Sequence, residues 1–432
     1  MNAAVDRTSE PVAPLSGIRV LEIGAFMAAP FGTMQLADLG ADVIKVENPD
    51  GGDPVRLIGP YVAGQSSPFA RLNRNKRSIA LDIKAERGKR VLRQLLATVD
   101  VLVENLRPGA LSRLGYDYET VREINPRIIY VSASGWGQDG PLATLPGLDI
   151  MAQARSGLMS ITGTPQGDPV KVGVPICDLV SGLYVAMAVL GALRARDSAG
   201  TGQYVDVSLF ESGVSFAIWE AGRYFATGEV AKPLGSAHQS TAPYQAIRTA
   251  DGWVTLGAVT PTTWAGLCQA LDLAELLDDP RYQGAHERHG HRGTLIPAIE
   301  AVTSQRKTDD VIAALESAGV PCAPIANTAQ VFNDRHLNQR GFFWDAPHPV
   351  MGEVRQIGSP MRFSATPTVR GAAGPLLGAD TEAVLAECGF APAAIDELIG
   401  AGVVAVPPGS GSAADGTDAT AGDTPARPRP RQ

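Results

Sequence analysis

The sequence predicts an α/β protein that is built around a mostly parallel, doubly wound sheet and has a smaller second domain. Two observations predict the sheet: short apolar runs alternate with helical patterns through the first third of the chain, and a long apolar helix follows them. A change in character near residue 228 indicates the second domain. Because such sheets bind ligands at the carboxyl ends of their strands, the loops after Glu22, Glu47, Glu104 and Ser132 are candidate ligand sites.

Hydrophobic periodicity defines the elements of the first third. Short, mostly apolar runs predict strands, and apolar positions that recur with the helical period predict helices. The predicted strands are 18–23, 42–47, 78–83, 100–104 and 128–132. The predicted helices are 31–39, 86–98 and 121–124.

The rest of the chain begins with two longer helices and ends in a polar tail. The predicted helices are 178–196, which a Gly-Thr-Gly sequence ends, and 209–226. A hairpin over 244–249 and 252–259, with helices near 262–271 and 308–318, indicates a smaller domain. Short strands are expected after 340, and short helices near 380–387 and 393–399. Residues 407–432 contain almost no large apolar side chain, so we predict a disordered tail.

Composition is typical of a soluble globular protein. Apolar residues make up 44% of the chain, and the net charge of -8 argues against nucleic-acid binding and anionic membranes. The longest apolar run, 183–193, is shorter than the ~20 residues of a membrane-spanning helix. The polar N-terminus lacks a signal peptide, and the four cysteines form no CxxC pair. We therefore expect a cytoplasmic protein with small-molecule substrates.

Each of two polar clusters allows both a structural and a functional interpretation. His286, His289 and His291 lack the further ligands of a metal site, so a solvated loop is favoured and we expect no metal. The basic segment 71–77 is either a solvated turn or a pocket for phosphates. The loop after the first strand is not G-x-G-x-x-G, and Walker A, H-E-x-x-H and G-x-S-x-G motifs are absent from the sequence.

Asp178 lies where an apolar stretch meets the predicted start of a helix, in VPICDLVSG. Aspartate is a preferred helix N-cap, and caps are far commoner than catalytic residues, so the residues alone favour a cap. Alternatively, a carboxylate at the positive end of a helix dipole would stay ionised. Such a carboxylate can attack a carbonyl group and form a covalent acyl intermediate.

Five stretches in fixed order resemble the family III CoA-transferases. This family includes formyl-CoA:oxalate and carnitine CoA-transferases and, more distantly, 2-methylacyl-CoA racemases. The resemblance spans about residues 14–404. The stretches are LGADVIKVE at 39–47, NRNKRSIALD at 73–82, VENLRPGALSRLG at 103–115, the segment 147–207 from GLDIM to GQYVDV, and 242–253 from APYQ to ADGW.

The resemblance implies that Asp178 is the nucleophile of a CoA-transferase, which shifts the balance from cap to catalyst. It also implies that CoA or acyl-CoA is a substrate and that no cofactor is tightly bound. The implied CoA-binding positions are Phe26 and Met27 beside the pantetheine, Leu81 and Lys84 near the adenine, Asn105, Leu106 and Arg113 along the CoA site, with Arg113 a phosphate partner, and Leu209 as an apolar contact.

The implied family fold is a Rossmann-like large domain built from both ends of the chain, around a small inserted α+β domain. Two such chains interlock, so a homodimer is expected. The predicted parts are a flexible N-terminus at 1–13, the large domain at 14–225, the small domain at 226–330, a return to the large domain at 331–406 and the tail at 407–432.

Two departures from the formyl-CoA transferase pattern concern the substrate. Asn48 stands where an arginine contacts the nucleotide, and the loop 235–239 replaces a run of glycines that closes over the intermediate. Oxalate is therefore not the favoured acceptor.

Two alternatives compete with CoA transfer. A racemase needs an acid/base pair, and in racemases a histidine precedes the aspartate that matches Asp149. Here that position is Leu148, which cannot accept a proton, and His238 is a poor substitute because it lies in the 235–239 loop. A non-catalytic CoA-binding protein is the second alternative, and the presence of Asp178 disfavours it.

Overall fold

The computed structural model describes residues 12–408, so the predicted flexible N-terminus and disordered tail lie outside it apart from residues 12, 13, 407 and 408. The strands of the described chain are β1 Arg19–Ile23, β2 Asp42–Glu47, β3 Tyr61–Val62, β4 Gln65–Ser66, β5 Lys76–Leu81, β6 Val101–Glu104, β7 Ile129–Ser134, β8 Tyr204–Ser208, β9 Tyr244–Arg248, β10 Trp253–Gly257, β11 Cys322–Pro324, β12 Phe343–His348, β13 Gly352–Ile357 and β14 Val404–Ala405.

The described chain also contains helices between and after these strands. They are α1 Ala28–Asp38, α2 Ser67–Leu72, α3 Glu86–Leu96, α4 Ala110–Arg113, α5 Tyr118–Ile124, α6 Asp149–Arg155, α7 Leu158–Ile161, α8 Ile176–Ala199, α9 Leu209–Val214, α10 Ile218–Thr227, α11 Pro261–Ala270, α12 Glu275–Asp278, α13 Ala285–Gly290, α14 Arg292–Thr303, α15 Thr308–Ser317, α16 Thr328–Phe332, α17 Arg335–Gln339, α18 Thr381–Glu387 and α19 Pro392–Gly400.

A seven-stranded sheet has the order β14-β5-β2-β1-β6-β7-β8. Its strands pair in parallel except β14, from the end of the described chain, which runs antiparallel to β5. The predicted α/β class with a parallel-dominated sheet is confirmed. The chain builds β2 and β5 on one side of β1 and then β6, β7 and β8 on the other. The winding therefore reverses between β1 and β6, and ligands of open α/β sheets bind in the crevice at such a switch point.

Each face of the sheet is covered by its own apolar core, because alternate residues of a strand point to opposite faces. Leu21 and Ile44 lie on the face that packs against α3, α5, α18 and α19. Val20 and Val43 lie on the other face, where α1 and α8 cover them. Burial on both faces explains why these strands read as continuous apolar runs.

Helices α1 and α8 approach each other closely because glycine lies at their contact. A Cβ atom on Gly32 would lie 2.8 Å from the Gly182 carbonyl oxygen, and one on Gly182 would lie 2.8 Å from the Ala28 carbonyl oxygen. Only glycine permits this backbone separation. The contact places the start of α1 beside the start of α8, where Asp178 lies.

A second structural unit follows α10. The strands β9, β10 and β11 form an antiparallel sheet in the order β11-β10-β9, which packs with α11, α14 and α15 around a separate apolar core. The β9–β10 hairpin confirms the predicted one. The chain then returns to the large sheet, since the β12–β13 hairpin packs on α2 and β14 pairs with β5. The boundaries predicted at 225, 330 and 406 remain predictions.

Some element predictions were wrong in detail. The predicted strand 78–83 is β5, which begins and ends two residues earlier, and the predicted helix 209–226 is two helices, α9 and α10. The strand β8 was not predicted. Helix α8 is much longer than the apolar run 183–193, and within residues 12–408 it alone has the length and composition to cross a membrane. Half of that apolar stretch is buried inside the described chain.

Candidate active site

The loop after β1 and the residue after β6 meet at the switch point. The Asn105 side chain accepts a hydrogen bond from the Ala25 N–H at 2.9 Å and donates one to the Ala25 carbonyl at 2.8 Å. A Cβ atom on Gly24 would lie 2.8 Å from Asn105 Oδ1, so glycine is required there. Asn105 therefore fixes the path of the chain between β1 and α1.

Phe26 lies at the tip of this loop in a left-handed backbone conformation, with φ 61°. This conformation is uncommon for a bulky residue and marks local strain, which surrounding contacts must offset. The Phe26 N–H donates to Asp53 Oδ1 at 3.3 Å, and its ring is exposed. Met27 follows and begins α1. The loop thus presents Phe26 and Met27 at the carboxyl edge of the sheet.

A buried ionic cluster supports the loop from below. Lys45 Nζ lies 2.6 Å from Glu22, 2.9 Å from Asp53 and 2.8 Å from the Gly24 carbonyl oxygen. Lys76 Nζ lies 2.7 Å from Glu22. Burial by itself would raise the pKa of Glu22, but the two ammonium groups lower it below the ordinary value. The cluster couples β1, β2 and β5 to the loop.

The basic segment 71–77 is neither a solvated turn nor a pocket for phosphates. Arg74 is buried and pairs with Asp38 at 2.6 Å, and Lys76 belongs to the cluster above. Arg77 pairs with Asp42 and Glu387. These cations are neutralised within the protein, which the sequence could not show because their acidic partners are distant along the chain.

Asp178 lies in the first turn of α8, beside the loop after β1. The helix begins at Ile176 with Pro175 at its N-cap, and no side chain makes the cap hydrogen bond there. The expectation that Asp178 is the N-cap was therefore wrong by three residues. Its neighbour Cys177 is buried and packs in one cluster with Ala28, Ala152 and Leu209. This packing places Leu209, one of the predicted CoA-binding residues, against the residue that precedes Asp178.

The Asp178 carboxyl group lies in a partly buried environment that opposes its ionisation. Burial and then the negative charge of Asp149 raise the pKa of Asp178 from 3.8 to about 7. Burial and this like charge therefore oppose ionisation, contrary to the expectation that the carboxylate stays ionised at the helix N-terminus. A strongly raised pKa of a partly buried carboxyl group is typical of a functional residue.

The remaining predicted residues lie farther along the same edge of the sheet. Leu81 is buried in the core under β14, so its side chain faces away from solvent. Lys84 and Arg113 are exposed. The Leu106 N–H donates to Glu104 Oε2 at 2.8 Å, and its side chain packs against the core of that face. Of the predicted residues, Phe26 and Met27 lie in the loop after β1 that Asn105 holds, and Leu209 packs with Cys177. The others lie at or after the ends of β5 and β6.

Asp149 accepts hydrogen bonds from the Asp178 N–H and from the Gln153 side chain, and the sequence analysis gave neither Asp149 nor Gln153 a role in the site. Asp149 Oδ1 accepts from the backbone N–H groups of Cys177 and Asp178. The sequence does contain a signal for Asp149, since it belongs to the GLD motif, but the prediction from that motif concerned only Leu148. Leu148 is exposed, and its aliphatic side chain cannot accept or donate a proton.

The loop 235–239 lies against α10 and borders a cleft of about 1320 Å³. Arg223 donates to the Gln239 carbonyl oxygen at 3.1 Å, and the Gln239 side chain donates to Glu220 at 2.8 Å. The His238 ring lies between Trp219 and Tyr244. The loop is thus fixed by α10 and β9.

The histidine cluster lies on and just after α13, not in a loop. Over residues 12–408 no group of three or more His, Cys, Asp or Glu side chains is arranged to bind a metal ion.

Comparison with known proteins agrees with this geometry. Residues 15–381 match the model of CoA-transferase family III. The chain is 40% identical to the human succinyl-CoA:glutarate CoA-transferase over 91% of this chain and 90% of that protein. It is 36% identical to the succinate--glutarate CoA-transferase of Agrobacterium fabrum over 87% and 95%. A CAIB/BAIF family protein from Brucella suis has a similar fold, with TM-score 0.80 and 37% identity over 88% of this chain and 100% of that one.

Proposed function

Because this chain belongs to CoA-transferase family III, we propose that it transfers CoA from an acyl-CoA to a carboxylic acid with Asp178 as the covalent nucleophile. The single observation that supports this assignment best is the position of Asp178, partly buried in the first turn of α8 beside the switch-point loop. Burial and the negative charge of Asp149 also raise the pKa of its carboxyl group to about 7.

The proposed reaction has two symmetrical halves. An Asp178 oxygen attacks the thioester carbonyl, the C–O bond forms, and the C–S bond breaks to release CoA thiolate and leave a mixed anhydride. The thiolate sulfur then attacks the Asp178 carbonyl carbon, which forms aspartyl-CoA and releases the donor carboxylate. The acceptor carboxylate reverses these steps and leaves with CoA. No net proton is consumed, and retention of CoA near Asp178 keeps the thiolate close for its return.

We assign the CoA site to the carboxyl edge of the sheet. Phe26, Met27, Asn105 and Leu209 are proposed to surround the reactive end, since Asn105 holds the loop that carries Phe26 and Met27, and Leu209 packs with Cys177. The positions proposed for the rest of CoA are Leu81, through its backbone, Lys84, Leu106 and Arg113, whose exposed guanidinium group suits a phosphate.

Short dicarboxylic acids are the proposed donor and acceptor class, because the relatives named above exchange CoA between succinate and glutarate. The test is a transfer assay with succinyl-CoA and a panel of acids that includes glutarate, oxalate and acetate. We expect transfer to glutarate by the wild-type protein and none by Asp178→Ala. If Asp178→Ala retains wild-type transfer, the assignment of the nucleophile is wrong.

An interlocked homodimer is also proposed, on the basis of an exposed apolar surface. Leu183 and Met187 of α8 are exposed, as are Trp219 and Phe225 of α10, the last to 84%. Exposed large apolar side chains in such number suit a protein interface, and a second copy of this chain would cover them.

Light scattering should therefore give twice the 45.2 kDa of one chain. Phe225→Asp should weaken the assembly, whereas Val350→Asp, in the β12–β13 turn, should not. A wild-type protein of 45.2 kDa would contradict the dimer.

A further inference from the structure

A second carboxylate lies beside Asp178, and the reaction above gives it no part. Asp149 is the first residue of α6, and its Oδ1 accepts hydrogen bonds from the N–H of Cys177 at 2.9 Å and of Asp178 at 3.3 Å. N–H groups in the first turn of a helix have no partner within that helix. Asp149 supplies the missing acceptor and so fixes the backbone of Asp178.

Gln153 fixes the orientation of Asp149 in turn. Its Nε2 donates to Asp149 Oδ2 at 2.6 Å, and its Oε1 accepts from the Val172 N–H at 2.9 Å. Gln153 is completely buried, so both ends of its amide are committed to these bonds. The Val172 N–H can only donate and the Asp149 carboxylate can only accept, so the orientation of the Gln153 amide is determined.

The surroundings of Asp178 leave its negative charge without compensation. The α6 helix contributes Asp149, and α1 and α9 contribute the apolar residues Ala28 and Leu209 to the adjoining cluster. On α8 the neighbouring Cys177 is a neutral thiol, since burial and then Asp149 raise its pKa to about 11. The ionised Asp178 therefore lies in a partly dehydrated place beside a like charge.

We propose that Asp149 is a positioning residue that promotes acylation of Asp178, because its charge destabilises the free carboxylate and not the acylated side chain. This inference rests on the proposed function. In the anhydride and in aspartyl-CoA, Asp178 is an uncharged acyl group, so its repulsion by Asp149 disappears when the new bond forms. Asp149 exchanges no proton with the substrate in this scheme.

A charge swap between Asp149 and Gln153 separates electrostatics from geometry. In the double variant Asp149→Asn/Gln153→Glu, the asparagine Oδ1 still accepts from Cys177 and Asp178, and its Nδ2 donates to the new glutamate. That glutamate still accepts from the Val172 N–H. Each hydrogen bond is kept while the negative charge moves one turn away from Asp178. In the single variant Asp149→Asn, the new Nδ2 faces Gln153 Nε2. Both groups are donors, so that variant also loses the hydrogen bond to Gln153.

The experiment measures the equilibrium ratio of aspartyl-CoA to free enzyme at pH 8 by intact mass. The enzyme is mixed with fixed concentrations of succinyl-CoA and succinate. Removal of a like charge should lower the pKa of Asp178 by about one unit. We therefore expect the charge swap to lower this ratio about tenfold. The acidic limb of the transfer rate should move down by about one pH unit. Asp149→Asn should lower the ratio too. Asp396→Asn, an exposed residue of α19, should leave both unchanged.

Each outcome decides one of the two proposals. A lower ratio and a shifted acidic limb in both Asp149 variants support the inference. A wild-type ratio and acidic limb in the charge swap overturn it, while the adduct on wild-type enzyme leaves the proposed function standing. If the charge swap does not fold, an unchanged ratio and acidic limb in folded Asp149→Asn overturns it equally. An absence of adduct in the wild type overturns the nucleophile assignment and this inference with it.

Discussion

Replacement of Asn105 by alanine tests whether the switch-point loop positions the substrate. The change removes both hydrogen bonds that join Asn105 to Ala25, at 2.9 and 2.8 Å. Each bond contributes about 0.5–1.5 kcal/mol, so Asn105→Ala should lower the free energy of unfolding by about 1–3 kcal/mol. Released from Asn105, the loop with the left-handed Phe26 should also shift.

A displaced loop should lower the catalytic rate far more than the loss of folding stability alone would. A shift of about 1 Å in positioning groups lowers rates by up to about 100-fold, so we expect kcat/KM for the acyl-CoA to fall on the order of 10- to 100-fold. The loss should appear largely in the KM for the acyl-CoA if Asn105 acts at the CoA site.

Asn125 provides a matched control at the opposite edge of the sheet. Its side chain donates to the Leu96 and Val99 carbonyl oxygens and accepts from the Arg127 N–H, before β7 begins. Asn125→Ala should therefore lose similar stability but keep wild-type kcat/KM. Chemical denaturation and steady-state transfer kinetics measure the two quantities. If both variants lose stability and both keep wild-type kcat/KM, the loop does not position the substrate.

Three further predictions concern buried or titrating carboxyl groups. Glu22→Gln leaves the Lys45 and Lys76 ammonium groups undercompensated, so it should lower the free energy of unfolding in urea by about 3–5 kcal/mol. The surface variant Glu86→Gln should keep the wild-type midpoint. Equal midpoints for the two variants would contradict this prediction. Burial raises the pKa of Glu104 from 4.5 to about 7, so the folded protein binds the extra proton and wild-type stability should fall by up to about 3 kcal/mol as pH rises through that range. Glu104→Gln should lack this component, and identical pH profiles for the two proteins would refute it. Because the reactive form of Asp178 is ionised and its pKa is about 7, wild-type transfer should rise with pH through 7, and a rate that is flat from pH 5 would contradict the assignment.

Periodicity predicted the parallel sheet because its strands are buried on both faces and are bounded by polar loops. It placed β2 at its observed bounds and β1 within one residue of them. It missed β8, because Tyr204 and Asp206 of this edge strand interrupt the apolar pattern. The break between α9 and α10 was equally invisible, since the apolar residues continue across it.

The candidate site was only partly predictable for a different reason. The motif around Asp178 predicted that residue as the nucleophile, but the helix begins two residues earlier than the apolar pattern indicated. Contacts such as Asn105 with Ala25 and Asp149 with Cys177 join residues that are distant in sequence. The raised pKa of Asp178 depends on Asp149 and on burial, and neither follows from local sequence.

The most direct test of the account is the mass of the enzyme after incubation with succinyl-CoA. We predict a CoA-sized adduct that hydroxylamine releases and that maps to the peptide containing Asp178. The Asp178→Ala variant should give no adduct, and Asp396→Asn should give the wild-type amount. A wild-type enzyme that transfers CoA to glutarate without forming this adduct, or an adduct on another residue, would contradict the central claim.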